Sequence, residues 1–402
     1  MRPAASSPSP ASSPSCPEAD RDEGTASSNL SVLAVPFWQS ARRTYADLPM
    51  PDLRHAVRHP RATLREAKRR LLTPIEGRGA APPPAPSGAE VLQAVGAQLD
   101  TAGRVALTVS CRDADVLPKV DGAGRVFESP HGPVQRMHNG VEVPHLGYFG
   151  DWMAEIIETL HGHHEPQEEL AFARILELIH RPDPVMIELG CFWAYYSTWF
   201  LQDFPGGTAV ACEPDPEHLD VGRQTAAING VDIRFEQAAG GASDDEVLEL
   251  PSWNHPGTVH HVPVRSVPTL VADHDLDVVD VLHLDIQGAE LDVLESCRQL
   301  IADGRIRFVV VSTHHHTISG DPQTHQRCID LVRDLGGHVV AEHTVLESFS
   351  GDGLLVASFD DADRDVRIEL SRARTTEALF PSGEQELERF RLAYEELRSR
   401  LT

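Results

Sequence analysis

Apolar positions along the chain follow two rhythms that alternate. Short unbroken runs at residues 185–187, 208–212, 278–285 and 306–313 read as strands buried on both faces. On either side of them apolar residues recur at helical spacing, as in Leu170, Ile175, Leu176 and Ile179, or Ile329, Leu331, Val332 and Leu335. That spacing predicts helices with one buried face. Strand and helix in alternation predict a mainly parallel α/β sheet. Residues 232–236 and 260–264 add further strands. The last runs, 338–344 and 354–359, are separated only by the turn around Ser348-Phe-Ser-Gly-Asp-Gly353, so they predict an antiparallel pair.

Outside this core the pattern changes. Residues 1–30 are mostly Pro, Ser and Ala and are expected to be disordered, because they bury too little apolar surface to offset the entropy of ordering. Residues 31–88 read as a basic helical segment followed by a Pro-rich linker. Residues 89–149 are expected to form a small β-rich element, with a strand at 105–110 and a hairpin around Asn139-Gly140. The main domain spans 150–360. It opens on a helix from Asp151, then one beginning at Pro166, where Gln167, Glu168 and Glu169 suit the positive helix end. Residues 361–402 carry a C-terminal helix whose Leu387, Phe390, Tyr394, Leu397 and Leu401 form a seam. That seam suits either packing on the parent domain or a homodimer.

Composition narrows the partners. The chain of 402 residues has a formal charge of −26, which argues against nucleic acid or an anionic membrane. No apolar run is long enough to span a bilayer, and the N-terminus lacks the apolar core of a signal peptide, so a cytoplasmic location is expected. The six cysteines show no CxxC spacing and read as reduced, buried residues.

Candidate chemistry gathers in VMIELGCFWAYYS, residues 185–197. A strand meets Glu188, then Gly190, then a helix start. A glycine allows close approach of backbone to a ligand, and the helix presents free N–H groups. Glu213 closes the next strand, where a carboxylate can hold ribose hydroxyls. The GxGxxG pattern is not met, so a turn that merely needs glycine is the competing reading. Asp285 ends a later strand, and His283 faces the same side two residues earlier. The next strand runs into His314-His315-His316, which should neighbour Asp285 at the carboxyl edge.

These residues resemble the FkbM family of methyltransferases. A family segment like DxGANxGYYS appears as Glu188-Leu-Gly190-Cys-Phe-Trp-Ala194-Tyr-Tyr-Ser197. The family's Glu-Pro is Glu213-Pro214, and KIDVEGAExxVL appears as His283-Leu-Asp285-Ile-Gln287-Gly288-Ala289-Glu290-Leu-Asp-Val-Leu294. Ala194, His283 and Gln287 replace the family's second glycine, lysine and glutamate. The resemblance implies a class I, Rossmann-like methyltransferase fold with S-adenosyl-L-methionine as cofactor. Gly190 would lie close to it, Glu213 would hold the ribose, Glu188 and Ser197 would line the amino-acid end, and Ala238 would lie near the adenine.

Asp285 counts both as a cofactor-binding residue and, with His283 and His314, as a catalytic one. His314 is the favoured general base, since imidazole titrates near neutrality; the alternative is a loop histidine that only hydrogen bonds. The implied reaction is O-methylation of a sugar or natural product, a small-molecule or glycan acceptor. An inactive cofactor-binding fold serving as an assembly module is the other reading. A divalent metal on Asp285 with His314 or His316, and His163, His164 or Glu165, has suitable donor atoms but no supporting spacing, so no metal site is assigned.

Overall fold

In a computed structural model, which describes residues 99–373 except 253, 254 and 256, the apolar runs assemble into one seven-stranded sheet. Ahead of it come α1 (Thr101–Ser110) and a small antiparallel sheet of β1 (Val126–Ser129), β2 (Gly132–Arg136) and β3 (Glu142–Pro144). Helices α2 (Asp151–Thr159) and α3 (Pro166–Leu176) lead into β4 (Val185–Leu189). Then follow α4 (Tyr195–Asp203), β5 (Thr208–Cys212), α5 (Pro216–Asn229) and β6 (Ile233–Glu236). An insertion holds β7 (Ala239–Gly240), β8 (Val247–Pro251) and β9 (Val259–Arg265), followed by α6 (Val267–Asp273). The chain continues through β10 (Val279–Leu284), α7 (Glu290–Ser296), α8 (Arg298–Ala302) and β11 (Ile306–Thr313). It closes with α9 (His316–Ser319), α10 (Thr324–Asp334), β12 (His338–His343) and β13 (Gly353–Ser358).

The sheet order is β12-β13-β11-β10-β4-β5-β6, parallel except that β13 runs antiparallel to both neighbours. This is the α/β, Rossmann-like architecture of class I methyltransferases. Side chains alternate between two cores. Met186, Val281 and Phe308 face one, while Ile187, Leu282 and Val309 face the other. Because both faces are covered, the central strands read as continuous apolar runs. Each such side chain contributes roughly 1.5–3 kcal/mol by leaving water. The alternation also places the polar residues at the carboxyl ends. Glu188, His283 and Ser312 follow Met186, Val281 and Val310 by two positions, so they share the face that α3 covers.

One strand expectation is corrected and another is given its place. Residues 105–110 belong to helix α1, which Asp100 caps by accepting from the Gly103 N–H at 2.8 Å. The Val105, Leu107, Val109 alternation mimics a strand, but the cap and packing against α2 decide for helix. Residues 260–264 do form a strand, yet β9 pairs with β8 and β7 in a separate three-stranded sheet.

The segments 1–30 and 31–88, and the seam of the C-terminal helix, lie outside the described residues. Within 361–373 the chain makes a short 3-10 turn, Asp361–Asp363, and then a strap. Arg372 of that strap pairs with Glu342 and Glu347. Cys111, Cys191, Cys212, Cys297 and Cys328 are free and buried. Among the described residues no helix is long and apolar enough to cross a membrane.

Candidate functional site

The turn after β4 is built on left-handed backbone. Gly190 has φ 82°, Phe192 39° and Ala194 53°. A Cβ on Gly190 would lie 1.8 Å from the Asp285 carbonyl oxygen, so only glycine lets the ends of β4 and β10 meet. The close approach expected toward a ligand is thus made, in the first place, to Asp285. Ala194 adopts the left-handed conformation that a glycine would take freely, at a cost of roughly 1–2 kcal/mol.

Glu213 sits beside this turn. It accepts from the Phe192 N–H at 3.0 Å and the Asp215 N–H at 2.9 Å, with His218 Nδ1 3.7 Å away. Asp215 in turn caps α5, accepting from the Glu217 and His218 N–H groups at 2.8 and 3.3 Å. The Glu-Pro-Asp segment therefore fixes both the carboxylate and the helix behind it. Ala238 is buried just before β7, and a Cβ on Gly240 in that strand would meet Leu189 and Ile286.

Glu188 and Ser197 engage each other. The Ser197 N–H donates to Glu188 Oε2 at 3.0 Å, and the Ser197 hydroxyl donates to the same oxygen. This joins the end of β4 to the first turn of α4. Burial pushes the Glu188 carboxyl up to about 7, against the pull of His283 and the Ser197 bonds.

The rim gathers more charge than the sequence suggests. His314 Nε2 lies 3.2 Å from Asp285 Oδ1 and 3.9 Å from Asp352 Oδ1, while its Nδ1 is 2.7 Å from Glu290 Oε1. Burial alone would lower the affinity of His314 for a proton, but Asp352, Asp285 and Glu290 outweigh it and hold the group well above 6.5. A protonated imidazole has no lone pair to offer as a general base. Burial would raise Asp285, yet His314, His283 and His164 bring it below the usual carboxylate range. Asp352 goes the other way. Burial pushes it up to about 6 despite His314.

His283 is buried beneath this rim. Its Nε2 lies 2.8 Å from Glu168 Oε1, and Ser312 Oγ donates to Glu168 Oε2 at 2.9 Å. Burial opposes its protonation, but the Glu168 bond and charge raise it above 6.5. In the 161–169 loop, His164 Nδ1 lies 2.6 Å from Glu169 Oε1. Burial is offset there by Glu165 and Glu169, so His164 rises to about 10. Tyr148, stacked on Trp193 with centroids 4.3 Å apart, meets the His164 ring edge-on.

The structure thus brings Asp285 and His314 together, sets the His283 Nε2 on Glu168 rather than on Asp285, and holds Glu213 on the turn after β4. The side chains named as potential metal ligands, Asp285, His314, His316, His163, His164 and Glu165, do not gather as one set. Sequence reasoning missed Glu168, Glu290 and Asp352. Glu290 stands inside the motif from His283 to Leu294, and Asp352 inside the glycine-rich turn, but neither pattern shows that both point at His314.

The sheet order and the acidic residues at its carboxyl edge define a class I methyltransferase fold. Residues 173–339 match the family described as methyltransferase FkbM domain. No curated protein matches the chain. Among solved structures it is similar to precorrin-6y C5,15-methyltransferase from Geobacter metallireducens GS-15, with 14% identity, TM-score 0.31, and 47% of this chain and 87% of that one covered. It is also similar to a putative O-methyltransferase from Klebsiella pneumoniae, with 16% identity, TM-score 0.29, and 47% and 77% covered. A third is TrmK of M. capricolum with S-adenosyl-homocysteine, at 10% identity, TM-score 0.31, and 49% and 74% covered.

Proposed function

We propose that the chain methylates a hydroxyl of a small-molecule or glycan acceptor, such as a sugar or natural product, with S-adenosyl-L-methionine as donor. The observation that carries this reading is Glu213. Its two oxygens accept backbone N–H groups of Phe192 and Asp215. A carboxylate offers about four lone-pair sites, so acceptor capacity remains for the paired hydroxyls of a ribose. The residues therefore fit the cofactor. Glu213 would hold the ribose, the 190–194 turn would supply backbone contacts, Ala238 would lie by the base, and the Glu188–Ser197 pair would brace the amino-acid end. When bound, the cofactor supplies an electrophilic methyl group.

The chain's remaining task is to orient a hydroxyl and receive its proton. Asp352 suits the second part. Its side chain is partly exposed at the rim, and its proton affinity, raised to about 6, leaves it anionic yet basic near neutrality. His314, as a cation, holds Asp285 and Glu290 in place around it.

Calorimetric titration of the full chain with S-adenosyl-L-methionine tests the cofactor assignment. Wild type should bind, and Glu213→Gln should lose about 10- to 100-fold affinity while still unfolding cooperatively. A radiolabelled methyl-transfer screen over sugars and polyhydroxylated natural products tests the acceptor class. Wild type that does not bind the donor, or Glu213→Gln that binds it equally well, overturns the reading.

A further inference from the structure

Behind the rim three chain segments meet at a second group of titratable side chains. His138 follows β2, His163 lies in the turn before α3, and Glu169 is in the first turn of α3. Gly162 brings the first two segments together. Its carbonyl accepts from the His138 N–H at 2.9 Å, and a Cβ there would lie 2.3 Å from the His138 nitrogen. His138, His163 and Glu169 are 3%, 1% and 0% exposed, so whatever satisfies them must lie inside the protein. One ring nitrogen from each histidine and one Glu169 oxygen lie within 4.8 Å of one another. The two imidazoles stack with centroids 4.2 Å apart.

The protons cannot be shared out without leaving acceptors opposed. His138 Nδ1 lies 3.1 Å from the Pro118 carbonyl oxygen, which only accepts, so the ring proton sits on Nδ1. His138 Nε2 then presents a lone pair. It is buried, has no hydrogen-bond partner, and faces Glu169 Oε2 at 3.8 Å. His163 Nδ1 contacts the same carboxylate oxygen, and its Nε2 is a second buried nitrogen without a partner. The other Glu169 oxygen is already oriented, accepting from the His164 N–H at 2.8 Å and lying 2.6 Å from His164 Nδ1. A ligand histidine tied to a backbone carbonyl and a ligand carboxylate held by outer hydrogen bonds are the surroundings that metal ligands need.

We infer that His138, His163 and Glu169 form a binding site for one divalent transition metal of the zinc class. Two imidazole nitrogens and one carboxylate oxygen suit a borderline ion, whereas calcium or magnesium would require oxygen donors. Three protein ligands leave a fourth position for water. A cleft of about 480 Å³, lined by His138, Lys119, Asn139 and Trp199 among others, reaches the His138 ring and offers a path for entry. The bound ion would clamp the turn after β2 to the start of α3, the same turn that carries Glu168 to the rim. This assignment does not depend on the methyl-transfer reading.

The test uses full-length protein dialysed against zinc and then buffer, with metal measured by plasma mass spectrometry. Wild type should retain one equivalent of zinc. Apo protein titrated with Co²⁺ should develop the visible bands of a four-coordinate site, and zinc should raise its melting temperature. His138→Gln should weaken Co²⁺ binding by about 100-fold or more. Because that variant could fail to fold, wild type stripped with a chelator and reloaded provides the second arm. Wild type without an equivalent of metal after zinc dialysis, no melting shift on reloading, or Co²⁺ bound equally by folded His138→Gln would each overturn the assignment.

Discussion

His314 lies 3.2 Å from Asp285, and through its other nitrogen 2.7 Å from Glu290, so one imidazole joins the end of β10 to the start of α7. Glu290 is fully buried. Removing its cationic partner strands a charge in the interior, which costs about 3–5 kcal/mol. His314→Ala should lower the unfolding free energy obtained from urea titration by that much. A change below about 1 kcal/mol would mean the pair is not charged in the fold.

Asp352 titrates where activity would be measured. Above about 6 it is anionic and able to take a proton, so methyl transfer should rise with pH through that value and level off beyond it. Asp352→Asn should lower kcat by about 10²- to 10⁴-fold and remove the acid limb of the pH profile. An unchanged limb in the variant would transfer the role to another group.

Two glycines with similar backbone angles should respond differently to alanine. At Gly304, φ 69°, an added Cβ meets nothing within 4 Å, so only the conformational cost of about 1–2 kcal/mol applies. At Gly190, φ 82°, the same atom runs into the Asp285 carbonyl. Gly304→Ala should fold with a modestly lower melting temperature, while Gly190→Ala should be lost to the soluble fraction or lose donor binding. Equal stability of the two would contradict the contact between β4 and β10.

Glu188 gives a pH dependence of known sign. Its carboxyl is raised in the fold from 4.5 to about 7, so the stability it contributes is complete below 4.5 and disappears as pH rises through 7. The full effect is about 3 kcal/mol. Glu188→Gln keeps an acceptor for Ser197 and carries no charge. Its stability relative to wild type should therefore improve between pH 5 and pH 8, as followed by urea denaturation at the two values. A constant difference would show that Glu188 is not desolvated.

Much of the sheet could be read from the chain because β4, β5, β10 and β11 are covered on both faces and so appear as unbroken apolar runs. The meeting of Asp285 with His314 was legible for a related reason, since parallel neighbours bring their carboxyl ends to one edge. What escaped was the direction of charge from outside the sheet. Glu168 and Glu169 look like ordinary acidic residues at a helix start, and only the docking of α3 turns one toward His283 and Ser312 and the other toward His163 and His164. The acidic surroundings of His314 were equally hidden. They depend on Glu290 from a helix and Asp352 from a turn, groups that no spacing rule connects.

The docking of α3 also bears on where this chain can be cut. The stretch that matches the family starts at 173 and stops at 339, so its borders cut through α3 and β12 and leave out Glu168, Glu169 and Asp352. A fragment trimmed to those borders would keep Glu213 and the turn after β4 but open His283 and Ser312 to solvent and deprive His314 of the Asp352 counter-charge. The smallest working piece of this molecule is larger than the part that ancestry makes recognisable.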